Sequence, residues 1–192
     1  MHLNFDLFGF GESKLYKKQL SIYDYANEIF IFLKKKNINE LNIICHSFGF
    51  RIAIILSSLY DIKINRLIVF GGAGLKPKFN ILTFYKIKLY KIKKKFKKCI
   101  PAVDDLNNNQ KLYPTFVKVV NEYLDYLIND INSNTLLIWG NNDKYVKLYS
   151  YKKLLKCIRR REGIILNGDH FVYLKQKTKC YKLLNKFLNK VH

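Results

Sequence analysis

The chain has 192 residues, 49% hydrophobic and 15% aromatic, enough for one compact domain with a substantial core and incompatible with a disordered tail. No stretch approaches the ~18 uninterrupted apolar residues of a membrane span. Met1 to Phe10 lacks the basic start and apolar run of a secretory signal, so a soluble, cytoplasmic protein is expected. Lys and Arg number 35 against 14 Asp and Glu, a formal charge of +21. Lysine supplies nearly all of it, and the abundance of Ile, Asn, Tyr and Phe alongside it matches a genome rich in A and T. A phosphate reader draws more on the arginine fork, so no nucleic-acid partner is expected. Cys45, Cys99, Cys157 and Cys180 are widely spaced, with no CxxC pair or ligand-like cluster. They read as reduced thiols, and neither metal nor cofactor is expected.

In chain order, Leu3 to Leu7 reads as a brief strand ending in the turn-rich Gly9-Phe10-Gly11-Glu12-Ser13. Ile22, Tyr25, Ala26, Ile29, Phe30 and Leu33 recur at helical spacing behind Ser21, a predicted N-cap. Leu41 to Ile44 is too short for a helix and reads as a buried strand, and Phe48 to Leu59 turns helical again. Leu67 to Phe70, Thr135 to Trp139 and Gly163 to Leu166 are further strands, each closing on glycine or on a turn that holds one. Helical patterns lie around Tyr149 to Ile158 and Phe171 to Val191. This alternation predicts an α/β fold with a mostly parallel sheet and flanking helices.

From Lys76 to about Asn134 the rhythm breaks. Lys86 to Lys98 packs eight lysines into thirteen residues, a polar stretch follows, and Tyr113 to Ile128 reads as helical. We take 76–134 as a helical cap inserted into a core formed by 1–75 and 135–192. The Lys-rich run reads first as a solvated outer face, and second as a contact for an anionic membrane surface.

Cys45-His46-Ser47-Phe48-Gly49 lies between a strand and an apolar helix. A serine on such a tight strand-to-helix turn, the nucleophile elbow, has its hydroxyl thrust out at the sheet edge, with small residues where the backbone passes close to its neighbours. A serine hydroxyl needs a base to take its proton. Asp143 follows Trp139, and His170 follows Leu166, each by four residues. In a parallel sheet those ends share one edge with Ser47, and Ser, Asp, His is the chain order this arrangement requires.

With these residues placed, the chain resembles the α/β-hydrolase superfamily, and within it the small capped serine esterases. The resemblance runs over essentially the whole chain. It rests on Asp6 to Ser13, similar to the family's D-x-P-G-x-G-x-S loop with Phe8 in place of proline, and on His46-Ser47-Phe48-Gly49. Leu137-Ile138-Trp139-Gly140 with Asp143, and Gly168-Asp169-His170-Phe171, complete it. The resemblance implies a catalytic triad: Ser47 as nucleophile, His170 as general base and then acid, and Asp143 orienting the imidazole. Aspartate-nucleophile relatives, the haloalkane dehalogenases and epoxide hydrolases, are disfavoured by Ser47.

The front of the chain departs from the family, whose members carry further strands and an HG loop ahead of the Asp6 loop. That loop supplies one of two oxyanion-hole N–H groups, which leaves the backbone N–H of Phe48 as the one assignable donor. Either Asn4 to Leu7 pairs directly with Asn42 to Ile44, or a strand edge is left bare. A complementing N-terminal segment is one explanation. Phe50, where relatives often carry a second glycine, either tightens helix–sheet packing or intrudes on the pocket. The sequence therefore supports a serine hydrolase for a small ester or related acyl substrate. The competing readings are a truncated, catalytically impaired remnant lacking half of the oxyanion hole, and a binder of anionic surfaces.

Overall fold

The computed structural model describes residues 2–14, 19–78 and 112–190. Four strands form its sheet: β1 (Glu40–His46), β2 (Lys63–Phe70), β3 (Asn134–Gly140) and β4 (Arg161–Leu166), paired in chain order and parallel throughout. The central strands β2 and β3 are buried almost continuously at their C-terminal ends, because helices cover both faces of the sheet there. The outer strands β1 and β4 are largely exposed or half-buried.

One face carries α1 (Ile22–Lys35), α2 (Phe48–Leu59) and α4 (Leu148–Cys157), whose buried side chains join Leu67, Val69, Leu137 and Trp139 of the sheet in the larger core. The other face packs Ile68, Phe70, Leu136 and Ile138 against α5 (Val172–Lys175) and α6 (Lys177–Leu188) through Val172, Cys180 and Phe187. Helix α1 begins where its side chains allow: Ser21 Oγ accepts from the Asp24 N–H, and the Asp24 carboxylate accepts from the Ser21 N–H, a reciprocal cap worth about 1 kcal/mol. No helix among the described residues is long and apolar enough to cross a membrane.

Three expectations are corrected. Leu3 to Leu7 forms no strand: it pairs with neither β1 nor any other described residue, and β1 is hydrogen-bonded on its β2 side alone. The predicted helix from Tyr113 to Ile128 breaks at Asn121 into α3 (Tyr113–Val120) and a 3-10 turn (Asp125–Asp130). The last helical pattern divides at Gln176 into α5 and α6.

Residues 112–134 are the described part of the predicted insertion, and Lys86 to Lys98 lies outside the described residues. Arg51 on α2 fixes this part to the core. Its buried guanidinium donates to the carbonyls of Val119 (3.0 Å), Val120 (3.1 Å) and Glu122 (2.6 Å), at the end of α3 and just beyond it. Leu124 N–H donates to the Gly74 carbonyl and Lys76 N–H to Asp125. Arg51→Met keeps the stem but removes the charged donor from these carbonyls. We expect it to cost about 2–4 kcal/mol, read as a lowered urea midpoint at unchanged m.

Candidate active site

The C-terminal ends of β1, β3 and β4 supply the site. After β1 the chain turns into α2 within one residue, and Ser47 takes φ +47°, ψ −106°, a left-handed backbone that side-chain-bearing residues rarely adopt. The turn is held from both sides: the Ser47 N–H donates to the Phe70 carbonyl (3.0 Å), and the Ser47 carbonyl accepts from Ala73 (3.0 Å) and Phe50 (3.2 Å). Gly49 lies close over Cys45, where any Cβ would stand 3.3 Å from the cysteine Cβ. Cys45 is buried, with its thiol directed at the Ile68 carbonyl, and burial pushes its pKa up, so it is held as an inert thiol beside the serine. Phe50 is fully buried and packs on Gly72, which makes it a core residue of the helix–sheet contact.

Asp143 and His170 come from loops that clamp one another. Asn141 N–H donates to the Leu166 carbonyl, Asn142 N–H to the Gly168 carbonyl, and Gly168 N–H to the Asn141 side chain. At Gly140 any side chain would collide with the carbonyls of Gly168 and Asp169. Trp139 Nε1–H donates to the Val146 carbonyl at 2.8 Å and closes the loop after β3.

Within this frame His170 Nδ1 lies 2.7 Å from Asp143 Oδ2, and both side chains are almost completely buried. The other carboxylate oxygen accepts from the backbone N–H groups of Tyr145 (2.9 Å) and Val146 (2.8 Å). An ionised carboxylate only accepts, so this contact requires the proton on Nδ1 of His170. Asp169 turns away to Lys175 and the Phe171 N–H. Around His170 stand the rings of His46, Tyr145 and Phe171 at 4.5, 5.2 and 5.3 Å. No hydrogen bond joins Ser47 Oγ to His170 among the described residues. The Phe48 N–H opens α2, and its ring packs on Phe10 and Tyr25.

Two supporting residues are not evident from sequence. Gly71, at φ +51°, lies so close that a Cβ there would stand 2.9 Å from His170 Nδ1 and 3.2 Å from Asp143 Oδ2. The glycine run after β2 is the signal that marks it. His46 donates from Nε2 to the His170 carbonyl at 3.1 Å, tying the backbone of His170 to the turn at Ser47.

This strand order, elbow and loop arrangement define the α/β-hydrolase fold, and the chain has that fold. A curated protein of Haemophilus influenzae described as a "Putative esterase/lipase" is 22% identical to it, over 98% of this chain and 74% of that protein. Among solved structures, the enol-lactonase of Burkholderia xenovorans LB400 superposes with a TM-score of 0.75 at 14% identity, covering 96% of this chain and 79% of that one. An α/β-hydrolase enzyme from a Medee basin deep-sea metagenome library gives 0.74 at 15% identity, covering 97% and 78%. No family model matches the chain.

Two outcomes follow from this geometry. Gly71→Ala forces the His170–Asp143 pair apart, and the downfield proton resonance of their hydrogen bond is expected to shift or vanish in the NMR spectrum of the folded variant. His46 is held neutral: burial, and then the neighbouring His170, lower its pKa from the ordinary 6.5. The unfolded chain therefore binds the extra proton first as the solution is acidified. Stability from neutral His46 is complete above about pH 6.5 and lost as pH falls through the lowered folded value. His46→Gln, measured by urea unfolding across that range, is expected to lose less stability on acidification than wild type.

Proposed function

We propose that the chain is a serine hydrolase that cleaves a small ester or related acyl substrate through an acyl-enzyme. The observation that carries this reading is the buried His170–Asp143 hydrogen bond of 2.7 Å at the sheet edge that also presents Ser47 at its strained turn. The names of two similar proteins, an esterase/lipase and an enol-lactonase, both denote ester cleavage. The aromatic rings around His170 suit an apolar acyl or alcohol group.

In this reading Ser47 Oγ attacks the ester carbonyl carbon while His170 Nε2 takes the hydroxyl proton. The Phe48 N–H, the first of α2, donates to the oxygen as it gains charge. Asp143 stabilises the imidazolium and holds its tautomer. His170 then passes the proton to the departing alkoxide as the C–O bond breaks. Water repeats the sequence on the acyl-enzyme: its oxygen bonds to the acyl carbon, its proton goes to His170, and Ser47 is restored. No cofactor or metal enters any of these steps.

A second reading, a catalytically impaired remnant, is favoured by the missing Ser47–His170 hydrogen bond. Fluorophosphonate labelling read by intact mass separates the two, because the probe needs an activated serine and not the right substrate. We expect one adduct on wild type, none on Ser47→Ala, and labelling slowed about 10³–10⁴-fold in Asp143→Asn. Absence of label on folded wild-type protein would sink the enzyme reading in favour of the remnant.

A further inference from the structure

At the end of the sheet opposite Ser47, the N-terminal ends of the strands border a cavity of about 690 Å³ that the proposed chemistry does not use. Its size is that of a small-molecule site. The register sets its character. Asn42 of β1 pairs with Arg66 of β2, and Arg66 with Asn134 of β3. Thr135 pairs with Arg161 and donates its N–H to the Arg160 carbonyl, so Arg160 continues the row beside Asn134. Two residues further along β2 and β3 the same face carries Ile68 and Leu136, packed against α6. Helix α6 stops at Leu188, and beyond its end the sheet face changes from aliphatic to arginine and asparagine.

The charges in this cavity do not cancel. Lys63 pairs with Glu40, and Lys190 with Glu162; Glu40 also accepts from Asn65. Arg66 donates from Nε to the Phe187 and Leu188 carbonyls and from Nη2 to the Lys190 carbonyl. Those carbonyls fix its direction without neutralising it, and its Nη1 has no partner among the described residues. The exposed Arg160 guanidinium makes no hydrogen bond among them either. Two guanidinium charges thus line the cavity with no carboxylate of their own. The residue type is informative as well. Arginine provides five of the 35 basic residues, and four of those five are Arg66 and Arg159 to Arg161. In a chain that uses lysine by default, arginine kept at one place suits an oxyanion that its planar fork can grip. Ser133, 6% exposed, borders the same cavity. Its Oγ is the one buried side-chain nitrogen or oxygen without a hydrogen-bond partner among the described residues, a group that a ligand oxygen at that wall would satisfy.

We propose that this cavity binds a small phosphomonoester. Arg66 Nη1 and Arg160 hold the phosphate, and Asn42, Asn132 and Asn134 meet a polar, hydroxyl-bearing body. A phosphomonoester carries close to two negative charges at neutral pH, which matches the two unpaired guanidinium groups, whereas one carboxylate leaves a charge over. The cavity is far larger than a phosphate ion, and amide side chains both donate and accept, as hydroxyl groups require. None of these residues belongs to the Ser47 site, so the proposal does not rest on turnover.

The probes are ribose 5-phosphate, inorganic phosphate and ribose, titrated by calorimetry into the full chain at constant ionic strength, above the phosphate pKa of about 6. Amide chemical shifts locate the site. Ribose 5-phosphate is expected to bind and ribose not, with shifts gathered at residues 63–66, 132–134 and 160 and none at 143 or 170. Arg160→Ala, at an exposed position, is expected to weaken binding about tenfold or more. Lys152→Ala removes the same charge from the exposed side of α4 and should change it less than about twofold. Ser133→Ala should weaken binding about threefold without lowering the melting temperature, since the hydroxyl has no partner to lose. Inorganic phosphate binding as tightly as ribose 5-phosphate supports the anion site and assigns it to free phosphate. Binding of ribose, shifts centred elsewhere, or equal losses in Arg160→Ala and Lys152→Ala overturns the proposal. Wild-type affinity in both Arg160→Ala and Ser133→Ala also overturns it, and leaves a general attraction of a +21 chain for anions.

Discussion

The parallel pairing of four strands in chain order is the constraint on which everything else depends. Because β1 aligns His46 with Phe70, β2 aligns Phe70 with Ile138, and β3 aligns Gly140 with Leu166, their C-terminal ends share one edge. Residues 47, 71, 143 and 170 are far apart in the chain, and no local interaction could gather them. The register does so through hydrophobic runs that are buried on both faces of β2 and β3. A slip of one residue would turn each inward side chain to the opposite face, so the cores that fix the register also fix the site.

Holding a carboxylate and an imidazole together out of water is expensive unless their hydrogen bonds are satisfied. Here the cost is met locally. Asp143 takes two backbone N–H groups on one oxygen and His170 on the other, and the two loops are cross-tied at Asn141, Asn142 and Gly168. Crowding does the rest: Gly71 and Gly140 lie against this pair of loops at distances no other residue could occupy. The same logic applies at Ser47, whose unfavourable φ persists because three backbone hydrogen bonds over-determine the turn.

What is legible in the sequence follows from the range of the interactions involved. The four strands, the cap at Ser21 and the placing of Ser47, Asp143 and His170 at strand ends are readable, since period, capping and turn chemistry are local patterns. Arg51 is not. It sits within an apolar helix and looks like a stray charge, and its partners are carbonyls about 70 residues away. His46 is similar, for the carbonyl it holds lies 124 residues on. Leu3 to Leu7 fails for the opposite reason. Its pattern suits a strand, but a strand exists only when a second backbone pairs with it, and none of the described residues does.

That failure bears on the site itself. β1 is the strand that delivers Ser47, and like β4 it is paired on one side only among the described residues, with Ile44 open to solvent and an apolar cavity along its other edge. The loops carrying Asp143 and His170 leave strands whose ends are tied to each other, so the imidazole and the carboxylate form one unit. Ser47 stands on another unit, joined to the first through the β1–β2 pairing, the Phe70 and Ala73 hydrogen bonds and the contact of His46 with the His170 carbonyl. The Asp143–His170 bond is accordingly formed, and the Ser47–His170 bond, the one that crosses between the two units, is not. Small movements of an incompletely paired edge strand act on that distance directly. Stiffening β1 from its free side therefore acts on the one separation that the proposed chemistry still needs to close.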